Sequence, residues 1–600
     1  MTTTHLDPSP RDEAQSTIGQ SAAKGPGRRR WLTAHDKFIY ALAVPIFLVI
    51  AFFIVIPMVQ TAMTSSGGAG FVDNYSTFLS SGGTRTALLL SVGISVGSVL
   101  LCGVVGTLLA VLLTRFDFPG RRALEVFAVL PMALPPLIGA VSFVLLFSET
   151  GIVPRAAQQL LASGAAHLAV TGVAGVLLVH TFTMYPYFYL SVSAGLSGMD
   201  SSIEEAASSL GAPKWKVWAT VVLPMLTPAL VSGGLLTFMT SMASFTAPQL
   251  YNVQTLTMQI VATRTSGLYE LAAAQSTVLA AVSILFLLLM RWYQSRRIHR
   301  SLSKGIQRSR TRTRGLGSAF ALVGSLVLSL VLLAPIAVIV LVSFSVDTSW
   351  TVQVLPEEYT LDNYARIFTD PASLLPINVS VQTSLIATAV AIVIGAAAAW
   401  IVARWPGRGK SLLDIAVMLP WALPGTVIGI NLVTAFNGPS PWNLGIALVG
   451  SIAILPVAYF VRYVPLVFRS TSASIAQLDT SIDEAAQSLG ASPLRALRTV
   501  VFPLIFKGIL TGALLAFVDG VGEYVASVIV YPAGLPPMSV AIYQRIYSAE
   551  FGTAAAYGTL QIVLIFAILV LSNRLERGRR QRRSRKSPIR GGALAAAQGV

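Results

Sequence analysis

Few side chains inside the long apolar stretches of this chain could do chemistry, and two carboxylates stand out. Asp519 and Glu523 lie four residues apart, a spacing that puts them on one face of a helix. Ionisable residues within a membrane span are functional candidates, and this pair could bind a cationic substrate. The alternative is a pair near the end of the span that is hydrogen-bonded within the bundle or faces water. We favour that alternative.

Catalytic and metal-binding constellations are not recognisable in the sequence. The five histidines are scattered without metal-ligand spacing, and we expect His180 to be a hydrogen-bonded packing residue. The single cysteine, Cys102, allows no intrachain disulfide. Segment 407–411 ends like a phosphate-binding loop, but Arg404 stands where the first glycine is needed. We therefore expect no catalytic residue, no metal site and no cofactor bound by this chain.

A short polar segment that occurs twice is the strongest signal in the sequence. Residues 203–211 read Ile-Glu-Glu-Ala-Ala-Ser-Ser-Leu-Gly, and residues 482–490 read Ile-Asp-Glu-Ala-Ala-Gln-Ser-Leu-Gly. Each copy is followed thirteen residues after its glycine by a proline, Pro224 or Pro503, and the copies align without a gap at a separation of 279 residues. The repeat suggests one device, presented outside the membrane to a partner that also comes in two copies.

The spacing within each copy predicts a short helix with one apolar face. A hydroxyl with a glutamate three residues later fits a capping box, as in Ser202–Glu205 and Ser481–Glu484. Gly211 and Gly490 fit the left-handed residue that ends a helix. A plain capped turn between two spans is the alternative. Apolar residues recur at i, i+3, i+4 and i+7, namely Ile203, Ala206, Ala207 and Leu210 in the first copy and Ile482, Ala485, Ala486 and Leu489 in the second.

The elements that carry these segments are predicted membrane-spanning helices. Of the 600 residues, 54% are hydrophobic and 11% are charged, with a mean hydropathy of +0.71, whereas soluble domains are about 25% charged. The predicted fold class is an all-α polytopic membrane protein with about twelve transmembrane helices. A span needs roughly 20 mostly apolar residues, and such stretches occur near 38–60, 87–114, 124–147, 168–191, 220–243, 270–291, 318–344, 381–403, 412–434, 443–466, 503–526 and 554–573.

The net charge of +17 indicates orientation rather than a nucleic-acid partner. Basic residues concentrate before span 1, in alternate loops, after span 6 and after span 12, as the positive-inside rule requires. One topology satisfies this distribution, a multi-pass protein with both termini and both repeated segments in the cytoplasm. We expect no binding to nucleic acid.

The repetition extends over two whole halves of six spans each. Residues 130–135, Leu-Pro-Met-Ala-Leu-Pro, match residues 419–424, Leu-Pro-Trp-Ala-Leu-Pro, and Arg115 matches Arg404, both at a separation of 289. Halves in the same orientation pack about a pseudo-two-fold axis along the membrane normal, with a pathway between them. We predict a disordered cytoplasmic tail at 1–37, a first six-span domain at 38–291, a basic cytoplasmic linker at 292–317, a second six-span domain at 318–573 and a basic cytoplasmic tail at 574–600.

Prolines in the matched segments are further candidates for the pathway. Proline inside a helix removes a backbone hydrogen bond and kinks or breaks the helix. We therefore expect spans 3 and 9 to be broken and the breaks to contribute to the pathway or its gating, at Pro131, Pro135, Pro420 and Pro424.

The repeated segments resemble the EAA loops of the membrane subunits of ATP-binding-cassette importers, and the resemblance covers nearly the whole chain apart from the tails and the linker. In that family each loop forms a coupling helix that docks in a cleft of a cytoplasmic ATPase subunit. The resemblance implies a fused two-domain permease with loops at 203–224 and 482–503. It implies that coupling depends on Glu205, Ala206, Ala207, Leu210, Gly211 and Pro224, and on Glu484, Ala485, Ala486, Leu489, Gly490 and Pro503.

The same resemblance implies the partners and the mechanism. The partners would be two copies of a cytoplasmic ATP-binding-cassette ATPase, which use ATP and Mg, an extracytoplasmic substrate-binding protein, and the lipid bilayer of a bacterial inner (plasma) membrane. The chain itself would not be an enzyme, since ATP hydrolysis is expected in the partner. Transport would proceed by alternating access.

The substrate is the least determined feature. Segments 522–531 and 537–540 look most like the iron(III) importers of this family, with thiamine, phosphonate or polyamine as alternatives. An ion-coupled secondary transporter built from two parallel repeats is the alternative function, but it gives no reason for duplicated loops. A membrane-embedded enzyme would need a catalytic constellation that we do not find.

Overall fold

The computed structural model describes residues 34–67, 70–161, 168–297, 311–312, 316–350, 353–405, 407, 409–479 and 481–585. The tail predicted at 1–37, the linker at 292–317 and the tail at 574–600 lie wholly or partly outside these ranges. The described part of the chain is overwhelmingly helical. Helices satisfy their own backbone polar groups, which an apolar chain in lipid requires.

The first half contains fourteen α-helices among the described residues. They are α1 Ala34–Ile50, α2 Ile56–Thr64, α3 Phe71–Ser80, α4 Gly82–Arg115, α5 Arg121–Val129, α6 Pro136–Phe147, α7 Ile152–Leu161, α8 Gly172–Ser197, α9 Ser201–Ser209, α10 Lys214–Val217, α11 Leu223–Met242, α12 Thr246–Leu250, α13 Leu256–Thr265 and α14 Tyr269–Arg297. A π-helical turn at Ala51–Val55 joins α1 to α2, so the two form one continuous span, Ile39–Thr64.

The second half contains twelve α-helices in the part of the chain that the structure describes. They are α15 Leu316–Val342, α16 Asp362–Thr369, α17 Pro371–Arg404, α18 Gly409–Ala422, α19 Gly425–Phe436, α20 Ile454–Ile475, α21 Ser481–Ser488, α22 Pro493–Ala496, α23 Phe502–Val521, α24 Ser527–Val530, α25 Met538–Tyr547 and α26 Phe551–Arg585. Two short strands, β1 Phe116–Asp117 and β2 Thr311–Arg312, pair in parallel. They connect the loop after α4 to the segment between the halves.

The spans confirm an all-α polytopic membrane protein, with two differences from the prediction. Among the described residues, ten helices are long and apolar enough to cross a membrane, or eleven if the bent pair α18 and α19 is one span. The stretch predicted at 443–466 instead begins its helix at Ile454. Residues before it form a turn in which Leu444 is left-handed (φ 55°), and the helix α20 carries Arg462 and Arg469, so it is less apolar than the other spans.

The two halves repeat the same three-helix core. Helices α4, α8 and α11 pack against one another in the first half, and α17, α20 and α23 do so in the second. Gly106 in α4 and Gly395 in α17 are equivalent by the separation of 289, and each lies close against a neighbouring core helix. A Cβ at Gly106 would lie 2.5 Å from the carbonyl oxygen of Tyr185, and one at Gly395 would lie 3.2 Å from the backbone nitrogen of Phe468.

The first helix of each half packs against the other half. Helix α1 contacts α17 and α18, and α2 contacts α19. Reciprocally, α15 contacts α5 and α6. Ile39, Ile46 and Ile54 therefore belong to a hydrophobic core made mostly of second-half residues. The boundary between the halves in sequence is not a boundary in the packed core.

Candidate coupling helices and translocation pathway

The first repeated segment forms the short helix α9, but its N-terminus differs from the predicted capping box. The cap is Asp200, whose Oδ1 accepts a hydrogen bond from the backbone nitrogen of Ser202 at 3.0 Å. Ser202 lies inside the helix and Glu205 is exposed. The predicted Ser202–Glu205 capping box is therefore wrong, because the upstream carboxylate supplies the acceptor that the first backbone N–H groups need.

The second repeated segment forms the equivalent helix α21. The side chains of Ser481, Asp483 and Glu484 lie outside the described part of the chain, so the capping box predicted at Ser481–Glu484 stays a prediction. Ala485 is exposed and Ala486 is half-buried. Ala206 and Ala207, their first-half equivalents, show the same pattern.

Both helices end on a left-handed glycine, as predicted. Gly211 has φ 83° and Gly490 has φ 84°. In the first copy the backbone nitrogen of Ala212 donates to the carbonyl oxygen of Ala207 at 3.2 Å, and in the second the same bond spans 3.1 Å. L-residues with a side chain rarely adopt this conformation, which explains why glycine stands at both positions.

An apolar face is exposed on each of these helices. The leucine that precedes the glycine is 89% exposed at Leu210 and 90% exposed at Leu489. Ile203 at the other end of the face is 43% exposed. Each helix therefore presents apolar side chains away from its own half, which is the surface that a partner protein would cover.

A buried ion pair that the sequence reasoning missed anchors α9 to the core. Arg115, the last residue of α4, forms a two-pronged contact with Glu204, at 2.5 Å and 3.1 Å. Glu204 is 4% exposed, and the guanidinium also lies 5.7 Å from the centre of the Trp218 ring. The available signal was the match of Arg115 with Arg404, which we used only to align the halves.

The prolines that follow the repeated segments occupy equivalent places in the two halves. Pro224 is the second residue of α11 and Pro503 is the second residue of α23, and both are exposed. A π-helical turn precedes each, at Trp218–Val222 and Leu497–Val501. Proline lacks a backbone N–H and is tolerated at the start of a helix. The prolines therefore mark where each repeated segment joins its span.

The carboxylates Asp519 and Glu523 do not share a helical face, contrary to the prediction. Helix α23 ends at Val521, so Glu523 lies beyond it in an irregular segment. Glu523 is 4% exposed, and both of its carboxylate oxygens have partners. The Nε atom of Arg462 lies 2.7 Å from its Oε2, the Tyr463 hydroxyl donates to Oε2, and the backbone nitrogen of Ala526 donates to Oε1 at 2.7 Å. This agrees with the hydrogen-bonded interpretation that we favoured for Glu523.

Asp519, unlike Glu523, is exposed. It lies within electrostatic range of Arg462 in its own half and of Tyr187 in the first half. The two carboxylates and Arg462 form one polar cluster at the junction of the halves, which we call the acidic cluster. Arg462 itself was not predicted, although it is a lone arginine in an apolar stretch.

The Leu-Pro segments break their spans as predicted. In the first half a 3-10 turn at Leu130–Ala133 separates α5 from α6. In the second, α18 and α19 meet at an angle of 111°. All four prolines are buried, at Pro131, Pro135, Pro420 and Pro424.

Both breaks touch the segment that carries Glu523. A Cβ at Gly522 would lie 3.1 Å from Pro135 of the other half. A Cβ at Gly425, directly after Pro424, would lie 2.3 Å from the Arg462 guanidinium and 3.1 Å from Val525. The first break therefore contacts the other half, and the second contacts Arg462 and Val525 of its own half.

A model of one protein family matches both halves of the chain. The description of that family is "binding-protein-dependent transport system inner membrane component", and it matches residues 103–300 and 391–581. These ranges contain α9 and α21, the π-helical turns that follow them, and the acidic cluster.

The chain belongs to this family of ABC transporter permeases.

The permease is similar to several curated proteins. A probable ABC transporter permease protein, y4fN of Sinorhizobium fredii, is 30% identical over 91% of this chain and 98% of its own length. The ferric transport system permease protein FbpB of Actinobacillus pleuropneumoniae is 26% identical over 89% of this chain and 78% of its own length. A probable sulfate transport system permease protein, cysT of Zygnema circumcarinatum, is 31% identical over 34% of this chain and 74% of its own length.

In the first half of the permease, an uncharged cluster occupies the place equivalent to the acidic cluster. His180 is buried, its Nδ1 lies 3.0 Å from the Ser98 hydroxyl and 3.1 Å from that of Ser241, and its Nε2 lies 2.9 Å from that of Ser244. Ser244 is the equivalent of Glu523 at the separation of 279. His180 is therefore the hydrogen-bonded packing residue that the sequence predicted.

Proposed function

We propose that this permease forms the translocation pathway of an iron(III) importer and is driven through α9 and α21 by two copies of a cytoplasmic ATPase. The partner subunits would bind and hydrolyse ATP with Mg, and this chain would bind neither. An extracytoplasmic binding protein would deliver the substrate. Both termini and both coupling helices would lie on the cytoplasmic side of the inner membrane.

The observation that carries the ATPase proposal is the match between α9 and α21. Both are short, both end on a glycine with φ near the same value, 83° and 84°, and both expose the preceding leucine. Matching surfaces on two halves suit two copies of one partner, because a repeated surface selects a repeated binding site. A secondary transporter would not need these matching surfaces.

Co-purification tests the ATPase proposal. The permease is isolated from its own host with and without the double substitution Glu205→Ala and Glu484→Ala, two of the predicted coupling residues. We expect the wild type to retain a cytoplasmic ATPase and the variant to lose it while still inserting in the membrane. Ser202→Ala with Ser209→Ala, exposed positions on α9, is the matched control. Retention of the ATPase and of uptake in the glutamate variant would contradict the coupling assignment.

Iron(III) is proposed from the extent of the similarity. The relative named for ferric transport aligns over 89% of the chain, whereas the relative named for sulfate transport aligns over 34%. The net charge of the acidic cluster, two carboxylates against one guanidinium, also suits a cation better than an anion.

Uptake of labelled iron(III) in cells with and without the permease tests the substrate, with labelled sulfate measured in parallel. We expect ATP-dependent accumulation of iron alone. Accumulation of sulfate instead would show that sulfate is the substrate, and the assignment as an ABC transporter permease would stand. Uptake that persists when ATP is depleted and stops when the ion gradient is dissipated would favour the secondary transporter. Reporter fusions at the two termini test the predicted orientation.

A further inference from the structure

Two aromatic residues at equivalent positions of the two halves contact each other. Phe245 follows α11 and precedes α12, and Tyr524 follows α23 and precedes α24. Their separation, 279, is the separation of the repeated segments. The ring centres lie 6.2 Å apart at an interplanar angle of 37°, within the usual range for an aromatic pair.

This contact locates the pseudo-two-fold axis. Residues related by a two-fold axis touch each other only close to the axis, since any distance from it is doubled between them. In permeases built from parallel halves the pathway runs between the halves along that axis. Phe245 and Tyr524 therefore lie across the pathway rather than beside it.

The two rings are buried against each other. Phe245 is 1% exposed and Tyr524 is 2% exposed, so no solvent-filled passage separates the rings. The Tyr524 hydroxyl donates to Oε1 of Gln249 on α12 at 2.5 Å. Hence the two rings and one hydrogen bond connect the halves at the same place.

The elements around the pair include both broken spans. Pro135, in the broken span of the first half, lies against Gly522, and Gly425, in the broken span of the second, lies against Val525. Both neighbours flank Tyr524 closely in sequence. A change in the angle of either broken span would act directly on the backbone that carries the tyrosine ring.

We propose that Phe245 and Tyr524 form an aromatic gate that closes the translocation pathway on the pseudo-two-fold axis and separates when substrate passes. The Leu-Pro breaks hold the gate shut through Gly522 and Val525. The acidic cluster lies directly beside the gate, because Glu523 is the neighbour of Tyr524. This proposal rests on the proposed import function but not on the identity of the substrate.

Reversible cross-linking of the pair tests the gate. In a Cys102→Ala background, Phe245→Cys and Tyr524→Cys are joined by a short bis-methanethiosulfonate reagent in the full transporter, and a reductant then removes the link. We expect loss of uptake on linking and recovery on reduction. The control pair is Gly195→Cys with Ala229→Cys, on α8 and α11 of the first half, where a Cβ at Gly195 would lie 3.2 Å from that of Ala229. Linking this pair should leave uptake intact.

Three results would overturn the gate. They are undiminished uptake after linking of the Phe245 and Tyr524 positions, equal inhibition by the control pair, and failure of the first pair to link under conditions that link the second. Uptake by the unlinked protein in reductant reports the import function separately from the gate.

A second variant keeps the proposal testable if uptake itself cannot be measured. Phe245→Ala with Tyr524→Ala, reconstituted with its partners in liposomes, should release a small trapped dye faster than the wild type. Phe245→Leu with Tyr524→Phe keeps the bulk of both side chains and should not. Equal dye retention in the alanine and the conservative variants would contradict the gate without reference to any substrate.

Discussion

The two halves of this permease are alike at the short helices α9 and α21 and unlike where they meet. The glycines that end these helices differ by one degree in φ, and the preceding leucines differ by one per cent in exposure. At the junction, Ser244 of the first half is replaced by Glu523, and Thr183 by Arg462. The neutral cluster around His180 thus corresponds to a charged one in the second half.

The difference fits the proposed function. Two copies of one ATPase would need two matching surfaces, which α9 and α21 provide. A substrate would need one binding surface without a symmetric counterpart. The charge at the junction is therefore free to lie in one half, and there the desolvation of Glu523 is compensated by Arg462, Tyr463 and a backbone N–H.

The largest expected effect is the loss of Glu523. Glu523→Ala leaves the Arg462 guanidinium without the carboxylate to which it is ion-paired, and breaking a buried pair in this way costs about 3–5 kcal/mol. Since the Arg462 side chain is 26% exposed, we expect the lower end of that range. Ser244→Ala, the matched change in the first half, removes one hydrogen bond and should cost about 1 kcal/mol. Thermal unfolding in detergent measures both, and equal losses would show that the halves are not energetically different.

A compensated variant sharpens the same test. Arg462→Met with Glu523→Leu removes both charges together, and replacing a buried pair by apolar residues is often neutral or stabilising. We expect stability to recover and uptake to stay low. If uptake recovered as well, the Arg462–Glu523 pair would be needed for folding and not for transport.

The next effect concerns the anchor of α9. We expect Arg115→Glu or Glu204→Arg to insert normally but to lower ATP-coupled uptake, and the double charge reversal to restore part of it. The interaction energy from a double-mutant cycle should be about 1–3 kcal/mol, as for residues in contact. Repeating the cycle with Arg404 and Asp483 asks whether the second half uses the same anchor. Additive effects in the first cycle would contradict the positioning role of the pair.

A smaller effect is expected at the helix ends, and it should be equal in the two halves. Gly211→Ala and Gly490→Ala each place a Cβ in the left-handed region, at a cost of roughly 1–2 kcal/mol. Gly438→Ala is the control, since Gly438 is open among the described residues and its φ is not positive. Local hydrogen exchange of α9 and α21 measures the effect. A large difference between the effects of the two substitutions would show that α9 and α21 are not equivalent.

The smallest effect on stability is expected at the exposed leucines. Leu210→Ser and Leu489→Ser should each change the free energy of unfolding by less than about 0.5 kcal/mol, because both side chains are exposed in the chain alone. Each should nevertheless weaken retention of the ATPase, and by the same factor. Unequal retention would show that the two coupling helices do not meet equivalent surfaces.

Some local features of this protein, such as helix ends, were predictable from the sequence, and others were not. The ends of α9 and α21 follow from Gly211 and Gly490, since a positive φ is a property of one residue. The start of α9 was misplaced because Asp200 and Ser202 are both good caps and only the folded backbone selects one. The end of α23 was misplaced because the apolar stretch continues through Tyr524, Val525 and Ala526, whereas the helix ends at the glycine before them, Gly522.

The sequence by itself determined the class, the two halves, the broken spans and the place of the short helices α9 and α21. Apolar length, repeated motifs and proline chemistry are each read along the chain, without reference to distant residues. Only the tertiary structure decided that α1 and α15 each pack against the opposite half. It also decided three side-chain contacts, namely Arg115 with Glu204, Arg462 with Glu523 and Phe245 with Tyr524. These partners come from different helices, and which faces of packed helices meet depends on the complementarity of whole surfaces rather than on local spacing.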